Sequence, residues 1–345
     1  LKQSRFLQLN EWLNRHFNVE NIALTSLSGD AGFRKYYRFE QEGVSYIAVD
    51  APPKMSNNLA FVEIQKTLQQ AEIQVPDIIT CDLSEGFLCL SDFGDVLFSD
   101  GLTLANMTDA YKNAIELLPR IANTSFPKGY SLPIYDAEFI RTELTIFTEW
   151  LLQKHLTLSL SEQEKISLQC CFDVLVESAL EQPQVIVHRD YHSRNLMWLS
   201  DTLKTPKTLG VIDFQDAVVG PATYDVVSLL RDCYVKWPNE NVETLFTYYC
   251  QLSGVEKKYP DITSVQWMRW FDLMGLQRHI KASGIFARLY HRDDKGGYLK
   301  DIPLTLSYIV DISAKYPELN ALHDLVLHKV IPALHGSTKD QGLPS

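Results

Sequence analysis

Positive charge is in short supply along this chain. Its 345 residues hold 32 Lys and Arg against 43 Asp and Glu, a formal net charge of −11. A nucleic-acid binder should show basic excess, so that class of partner is not expected. The six cysteines form no Cys-x-x-Cys pair and no Cys/His cluster with zinc spacing, which points to reduced thiols. No apolar run approaches the ~20 residues needed to span a bilayer. Residues Leu1 to Phe17 are charged throughout and lack an apolar signal core, so a cytoplasmic protein without a membrane span is expected. Internal repeats and low-complexity stretches are also missing. What remains is an ordinary globular composition, 46% apolar and 22% charged, in a chain too long for one hydrophobic core.

The apolar period changes along the chain. Phe6 to Phe17 is spaced as an amphipathic helix. Ile22 to Leu27 reads as a strand, Gly29 to Gly32 as a turn, and Tyr36 to Glu40 and Ser45 to Val49 as two more strands. Asn58 to Gln70 is helical. Ile78 to Cys81 and Gly86 to Ser91 are short strands. Beyond Gly94 helices dominate, with candidates at Ala110 to Ala122, Ala137 to Lys154 and Glu162 to Leu180. A strand-rich island interrupts them at Gln184 to Val187, Leu196 to Leu199 and Leu209 to Ile212. The last residues, from Gly336, read as a frayed tail.

That island holds the densest chemistry: His188-Arg189-Asp190-Tyr191-His192-Ser193-Arg194-Asn195, then Val211-Ile212-Asp213-Phe214-Gln215-Asp216. A hydroxyl attacking a γ-phosphate needs a carboxylate to orient it and to accept its proton late, which suits Asp190. Mg2+ wants hard oxygen ligands. Asn195 supplies an amide oxygen and Asp213 a carboxylate, both at the borders of strand-like segments. Five residues separate Asp190 from Asn195, enough for a loop that turns both side chains one way.

This order of parts resembles the catalytic loop and metal site of protein kinases. It is closer to the aminoglycoside phosphotransferases and their relatives, because Asp213 begins Asp-Phe-Gln-Asp-Ala and Gly220 to Asp225 matches their Gly-x-x-x-Tyr-Asp segment. The resemblance implies an α+β, protein-kinase-like two-lobe fold, with a small antiparallel β N-lobe (residues 1–93) and a larger helical C-lobe (94–345), and use of ATP and Mg2+. Two false motifs stand apart. Asp92-Phe93-Gly94 lies far upstream of Asp190 and reads as the hinge, with the backbone of Leu90 to Phe93, including Asp92, near an adenine ring. His291-Arg292-Asp293 has Tyr298 where the catalytic loop needs Asn.

The Gly-containing segment Gly29-Asp30-Ala31-Gly32-Phe33-Arg34-Lys35 suits backbone approach to phosphates. A strand lysine would be expected at the position of Asp50. In its absence Arg34 or Lys35 is expected to reach the phosphates; alternation forbids both, and the choice stays open. Glu63 is either the partner of that residue or a solvated charge.

Gly29 to Tyr36, Asp50 to Pro53 and the block Gly275 to Asp293 together resemble one branch of the family, the anomeric kinases of N-acetylmuramate and N-acetylglucosamine that serve cell-wall recycling in Gram-negative bacteria. That implies phosphate transfer to a sugar C1 hydroxyl. In the same block Arg278, His279, Arg288, Arg292 and Asp293 are candidate acceptor contacts, with Lys281 nearby. Trp150, Trp237, Trp267 and Trp270 are read as core before sugar-stacking residues. The acceptor is thus expected to be a small N-acetylated amino sugar. The competing expectations are an aminoglycoside or choline-type kinase of the same fold, and a nucleotide-binding protein without catalysis.

Overall fold

The computed structural model describes residues 4–27, 33–127, 129–199 and 208–340. In chain order the elements are α1 (Arg5–Phe17), β1 (Thr25–Leu27), β2 (Lys35–Gln41), β3 (Val44–Asp50), α2 (Asn58–Gln70), β4 (Ile78–Asp82), β5 (Phe87–Ser91), α3 (Met107–Ile115), α4 (Leu118–Ala122) and α5 (Ala137–Ile146). A π-helical stretch (Phe147–His155) continues α5. Then come α6 (Glu162–Leu180), β6 (Gln184–Val187), β7 (Leu196–Trp198), β8 (Leu209–Val211), β9 (Val218–Pro221), α7 (Tyr224–Leu230), α8 (Asn239–Ser253), α9 (Val255–Lys258), α10 (Ser264–Asp293), α11 (Ile302–Ser313), α12 (Asn320–Leu325) and α13 (Ile331–Asp340). The chain divides into two compact units. The first comprises residues 1–102, 123–131 and 193–217, and the second 103–122, 132–192 and 218–345.

In the first unit five antiparallel strands run in the order β1-β2-β3-β5-β4. Alternation along β2 decides what each side of the sheet carries. Tyr37 and Phe39 point to the core that Leu9 and Leu13 of α1 close, with Phe6 edge-on to Tyr37 and Phe17 edge-on to Phe39. Tyr36 and Arg38 face the other way. α1 starts at Ser4, whose hydroxyl accepts from the Leu7 amide, and stops at Asn18 in the left-handed region (φ 55°). The β7–β8 hairpin belongs to this unit as well. The Val211 amide donates to the Gln74 carbonyl at 2.8 Å, and Leu97 bridges Met197. Gly210 has to lack a side chain, because a Cβ there would lie 2.5 Å from the Phe93 ring.

The 30-residue helix α10 runs through the second unit and packs against α5, the π-helical stretch, α6, α7 and α11. Trp267, Trp270 and Phe271 are buried along it. The buried Arg231 and Asp272 pair at 2.5 Å. β6 and β9 form a two-stranded antiparallel sheet from Gln184↔Pro221 to Val187↔Val218.

Three sequence expectations change. The single helix over Ala110 to Ala122 is two, broken ahead of Pro119, which has no amide hydrogen to continue a helix. β9 is a strand that the sequence reading passed over, since four residues ending in Pro give a weak signal. The expected frayed tail from Gly336 is helical as far as Asp340, and residues 341–345 lie outside the described ones.

Gly284 is where α10 comes closest to its neighbour. A Cβ there would lie 2.6 Å from the backbone of Ile146 and Phe147, where α5 widens into the π-helical stretch. Backbone cannot rotate out of the way. Gly284→Ala is therefore expected to lower stability by about 1–3 kcal/mol. Gly336→Ala, at an open helical position, should leave it within about 1 kcal/mol of wild type. Urea midpoints of the two variants check this.

Candidate active site

Asp190 belongs to the second unit, and Asn195 and Asp213 to the first. In the second unit β6 delivers the chain to His188, and α7 presents the Asp225 carboxylate to the loop that follows. Asp225 accepts from the His188 amide at 2.7 Å and the Arg189 amide at 3.0 Å. Tyr191 is buried and its hydroxyl donates to the Ala114 carbonyl. Arg189 has φ 76°, a backbone state that a non-glycine residue rarely takes without support. Its side chain supplies some of that support: the guanidinium donates to Glu143 at 2.8 Å and lies over the Phe139 ring at 4.8 Å.

Glu143 is the hub. It is 4% exposed and accepts from Arg189, from the Lys281 ammonium at 2.6 Å, from the Tyr135 hydroxyl at 2.5 Å and from the Gln277 amide at 3.0 Å. Burial alone would raise its carboxyl, but Lys281 and Arg189 outweigh burial and hold it at about 2. The same balance acts on Asp190. Burial raises it, Lys281, Arg189, His192 and Arg278 lower it further, and it settles at about 2. Asp190 is an anion at any working pH. Asp225 is the opposite case: burial pushes its carboxyl up to about 7 against the two amides and Arg278.

In the first unit β7 ends the loop at Asn195 and β8 leads to Asp213. The Ile212 amide donates to the Asn195 carbonyl at 3.0 Å. The Asn195 amide nitrogen donates to Asp213 Oδ2 at 3.3 Å, and Gln215 donates to Asp213 Oδ1 at 2.7 Å. Asp213 sits at φ 63°, which aspartate tolerates better than most residues. Phe214 is buried against Phe61, with ring centroids 4.9 Å apart. Arg34 lies 5.9 Å over that same Phe61 ring, and among the described residues its buried Nε has no hydrogen-bond partner. Both Asp213 and Arg34 act electrostatically on the Tyr36 hydroxyl, which burial, first, and then Asp213 push up to about 12. Lys35 is exposed and falls in phase with Tyr37 and Phe39, on the α1 side.

The other expected site residues scatter. Gly29, Asp30, Ala31 and Gly32 lie outside the described residues. Phe33 is exposed and Leu90 buried. The Asp92 carboxylate is occupied: it accepts from Arg38, Ser45 and the Gly94 amide. Arg38 is thereby committed to Asp92 and Asp95. Asp50, at the expected lysine position, pairs with Arg5 of α1 at 2.6 Å. Glu63 pairs with Lys66, one turn along its own helix. On α10, Arg278 stacks over the Tyr224 ring at 4.9 Å. His279 is fully buried, bonded to the Arg231 carbonyl and stacked on Tyr308. Burial and Arg278 hold it neutral, at about 3. Arg292 and Asp293 pair with each other on the surface. The Arg288 Nε is buried without a hydrogen-bond partner among the described residues.

Glu143 and Asp225 are functional-site residues that the sequence alone does not single out. Asp225 was in view within the Gly-x-x-x-Tyr-Asp segment. Glu143 had a weaker signal, a carboxylate in phase with the buried Ile140, Leu144 and Phe147 of an otherwise apolar helix face.

A model of the phosphotransferase enzyme family matches residues 23–264, and the chain belongs to that family. It is 38% identical over 332 residues to the N-acetylmuramate/N-acetylglucosamine kinase of Pseudomonas putida, covering 93% of this chain and 96% of that one. It is also 38% identical over 333 residues to the kinase of the same name from Pseudomonas aeruginosa. The choline kinase of Streptococcus pneumoniae shares the fold at 12% identity, with a TM-score of 0.60 over 88% of this chain and 99% of that one. The fold is accordingly α+β and protein-kinase-like. Among the described residues no helix is long and apolar enough to cross a membrane.

The Glu143 hub has a pH signature. Its ordinary value is 4.5 and its folded value about 2. A depressed carboxyl stabilises the fold above its unfolded value and loses that contribution as pH falls through the folded one. Stability of the wild type should fall as pH drops from about 4.5 toward about 2. Glu143→Gln strands two buried cations and should lower stability by about 3–5 kcal/mol near neutrality, with a flatter decline below pH 4.5. Urea melts at several pH values measure both.

Proposed function

We propose that this chain transfers the γ-phosphate of ATP to the C1 hydroxyl of N-acetylmuramate or N-acetylglucosamine, giving the sugar 1-phosphate and ADP. What carries the reading is the identity of 38% to kinases of that name over nearly the whole chain. Arg189 and Asp190 also stand in a network built to keep a carboxylate ionised. In the reaction the sugar oxygen forms a bond to the γ-phosphorus while the bond to the ADP oxygen breaks, and the sugar proton passes toward Asp190. A carboxylate with a value near 2 is a weak base. Its main work is to orient the hydroxyl, as a loose phosphoryl transfer requires.

Asn195 and Asp213 are the proposed Mg2+ ligands. One amide and one carboxylate oxygen at strand ends suit a cation that keeps part of its water and completes its shell with phosphate oxygens. Bound there, Mg2+ would offset charge on the nucleotide phosphates. Gly29 to Phe33 are proposed to meet the phosphates through backbone. Arg34, rather than Lys35, takes the place of the strand lysine, because it shares a face with Tyr36 and lies over the ring that packs on Phe214. The backbone of Leu90 to Phe93 is proposed to face the adenine, with the Asp92 side chain shaping the turn. A cytoplasmic location, where ATP is available, goes with this reading.

Phosphorus NMR of the product from N-acetylmuramate and ATP should place phosphate on C1. Phosphate on C6, or turnover of choline or kanamycin but of neither sugar, would overturn the proposal. Asp190→Asn should lower kcat at least about 100-fold. In nucleotide titrations Arg34→Ala should weaken ATP binding about tenfold or more, the worth of a charge-assisted bond, while Lys35→Ala should bind nearly as wild type.

A further inference from the structure

Charge on α10 is mostly spoken for. Arg269 pairs with Glu318, Lys281 with Glu143 and Arg292 with Asp293. His279 is buried and neutral, and His291 contacts His155 at 3.2 Å. Two cations break the pattern. Arg288 has a buried Nε without a hydrogen-bond partner among the described residues. Arg278 rests on the Tyr224 ring and makes no hydrogen bond or ion pair with any described residue, although it is near enough to Asp190 and Asp225 for each charge to act on the other.

An arginine in that position is unusual. A guanidinium carries five donors in a planar fork, and a partly buried cation is normally paired. Its two neighbouring carboxylates do not fill the fork: Asp225 is turned to the His188 and Arg189 amides. The Tyr224 ring holds the guanidinium in place from one side, and a guanidinium fork is the geometry that takes a carboxylate through two parallel bonds. Lys281, one turn further on, cannot substitute while it holds Glu143. Arg288 lies roughly 15 Å further along the helix axis at 1.5 Å per residue, longer than a single hexose.

We propose that Arg278 is the residue that grips the lactyl carboxylate of N-acetylmuramate, the group by which the two proposed acceptors differ. The inference rests on the function proposed above. An anionic group held by Arg278 leaves the sugar's reacting hydroxyl to Asp190, which sits in the same unit and under the same charges. N-acetylglucosamine, lacking the lactyl group, would leave the fork to water. The site therefore accepts both sugars and favours the acidic one. A cationic acceptor of the choline type would meet Arg278 as a repulsive charge.

The test compares kcat/KM of wild type, Arg278→Gln and Arg278→Lys on three acceptors: N-acetylmuramate, its neutral methyl ester, and N-acetylglucosamine. Wild type should prefer acid over ester by about ten- to a hundredfold, as expected for a bidentate charge-assisted contact. Arg278→Gln should lose most of that preference, and its ratio of N-acetylmuramate to N-acetylglucosamine turnover should fall about tenfold or more. Arg278→Lys should lie between. If wild type uses acid and ester equally, the proposal fails without reference to any variant. If Arg278→Gln depresses all three acceptors in parallel, Arg278 serves only to hold Asp190 ionised, and the proposal fails while the function stands. If wild type phosphorylates neither sugar, the functional reading falls and this inference with it.

Discussion

A single buried carboxylate, Glu143, pairs with two largely buried cations, Arg189 and Lys281. The position of the His188–Asp190 loop depends on that pairing. Arg189 is gripped at both ends, its guanidinium by Glu143 and its amide by Asp225. That double hold lets a non-glycine residue stay at φ 76°, and Asp190 is the next residue in the chain. Remove the carboxylate and the arginine has no reason to keep its backbone there. The arrangement also sets charge. Lys281 and Arg189 act on Glu143 and on Asp190 alike, and with His192 and Arg278 they keep Asp190 ionised despite its burial.

The first unit uses its acids differently. Asp50 stands where a strand lysine would be expected, and Asp92 opens a false Asp-Phe-Gly motif. Each is tied to an arginine instead. Arg5 reaches from α1 to Asp50 and to the Glu85 carbonyl, which clamps the first helix onto the sheet. Arg38 crosses from β2 to Asp92 and Asp95, which fixes the turn after β5. With Arg38 occupied and Lys35 on the wrong side of β2, Arg34 is the basic residue of this cluster left on the Asp213 side.

Much of this could be read in the sequence because the signals were local. The helices over Asn58 to Gln70 and Glu162 to Leu180 follow from apolar period alone, and both have the bounds the period suggested. The fold class followed from the order of parts around Asp190, Asn195 and Asp213. What stayed hidden was non-local. Glu143 lies far from Lys281 in sequence, and nothing at either position announces the other. The partners of Asp50 and Asp92 depend on sheet register. His279 illustrates the reverse error of motif reading. It sits among basic residues in sequence, but helical phase turns it inward onto Tyr308 while Arg278, its neighbour, stays partly open.

The first unit is assembled from three separate stretches of chain, 1–102, 123–131 and 193–217. Its sheet is complete by Ser91, but the hairpin that carries Asn195 and Asp213 arrives roughly a hundred residues later. During synthesis the early sheet must therefore wait, with Gln74 and the Phe93 ring lacking the backbone they meet in the finished protein. Closing so long a loop is slow compared with forming a local contact. A nascent chain of this protein holds a partly finished first unit for much of its translation. In that interval the unfinished surface is the part most in need of a chaperone.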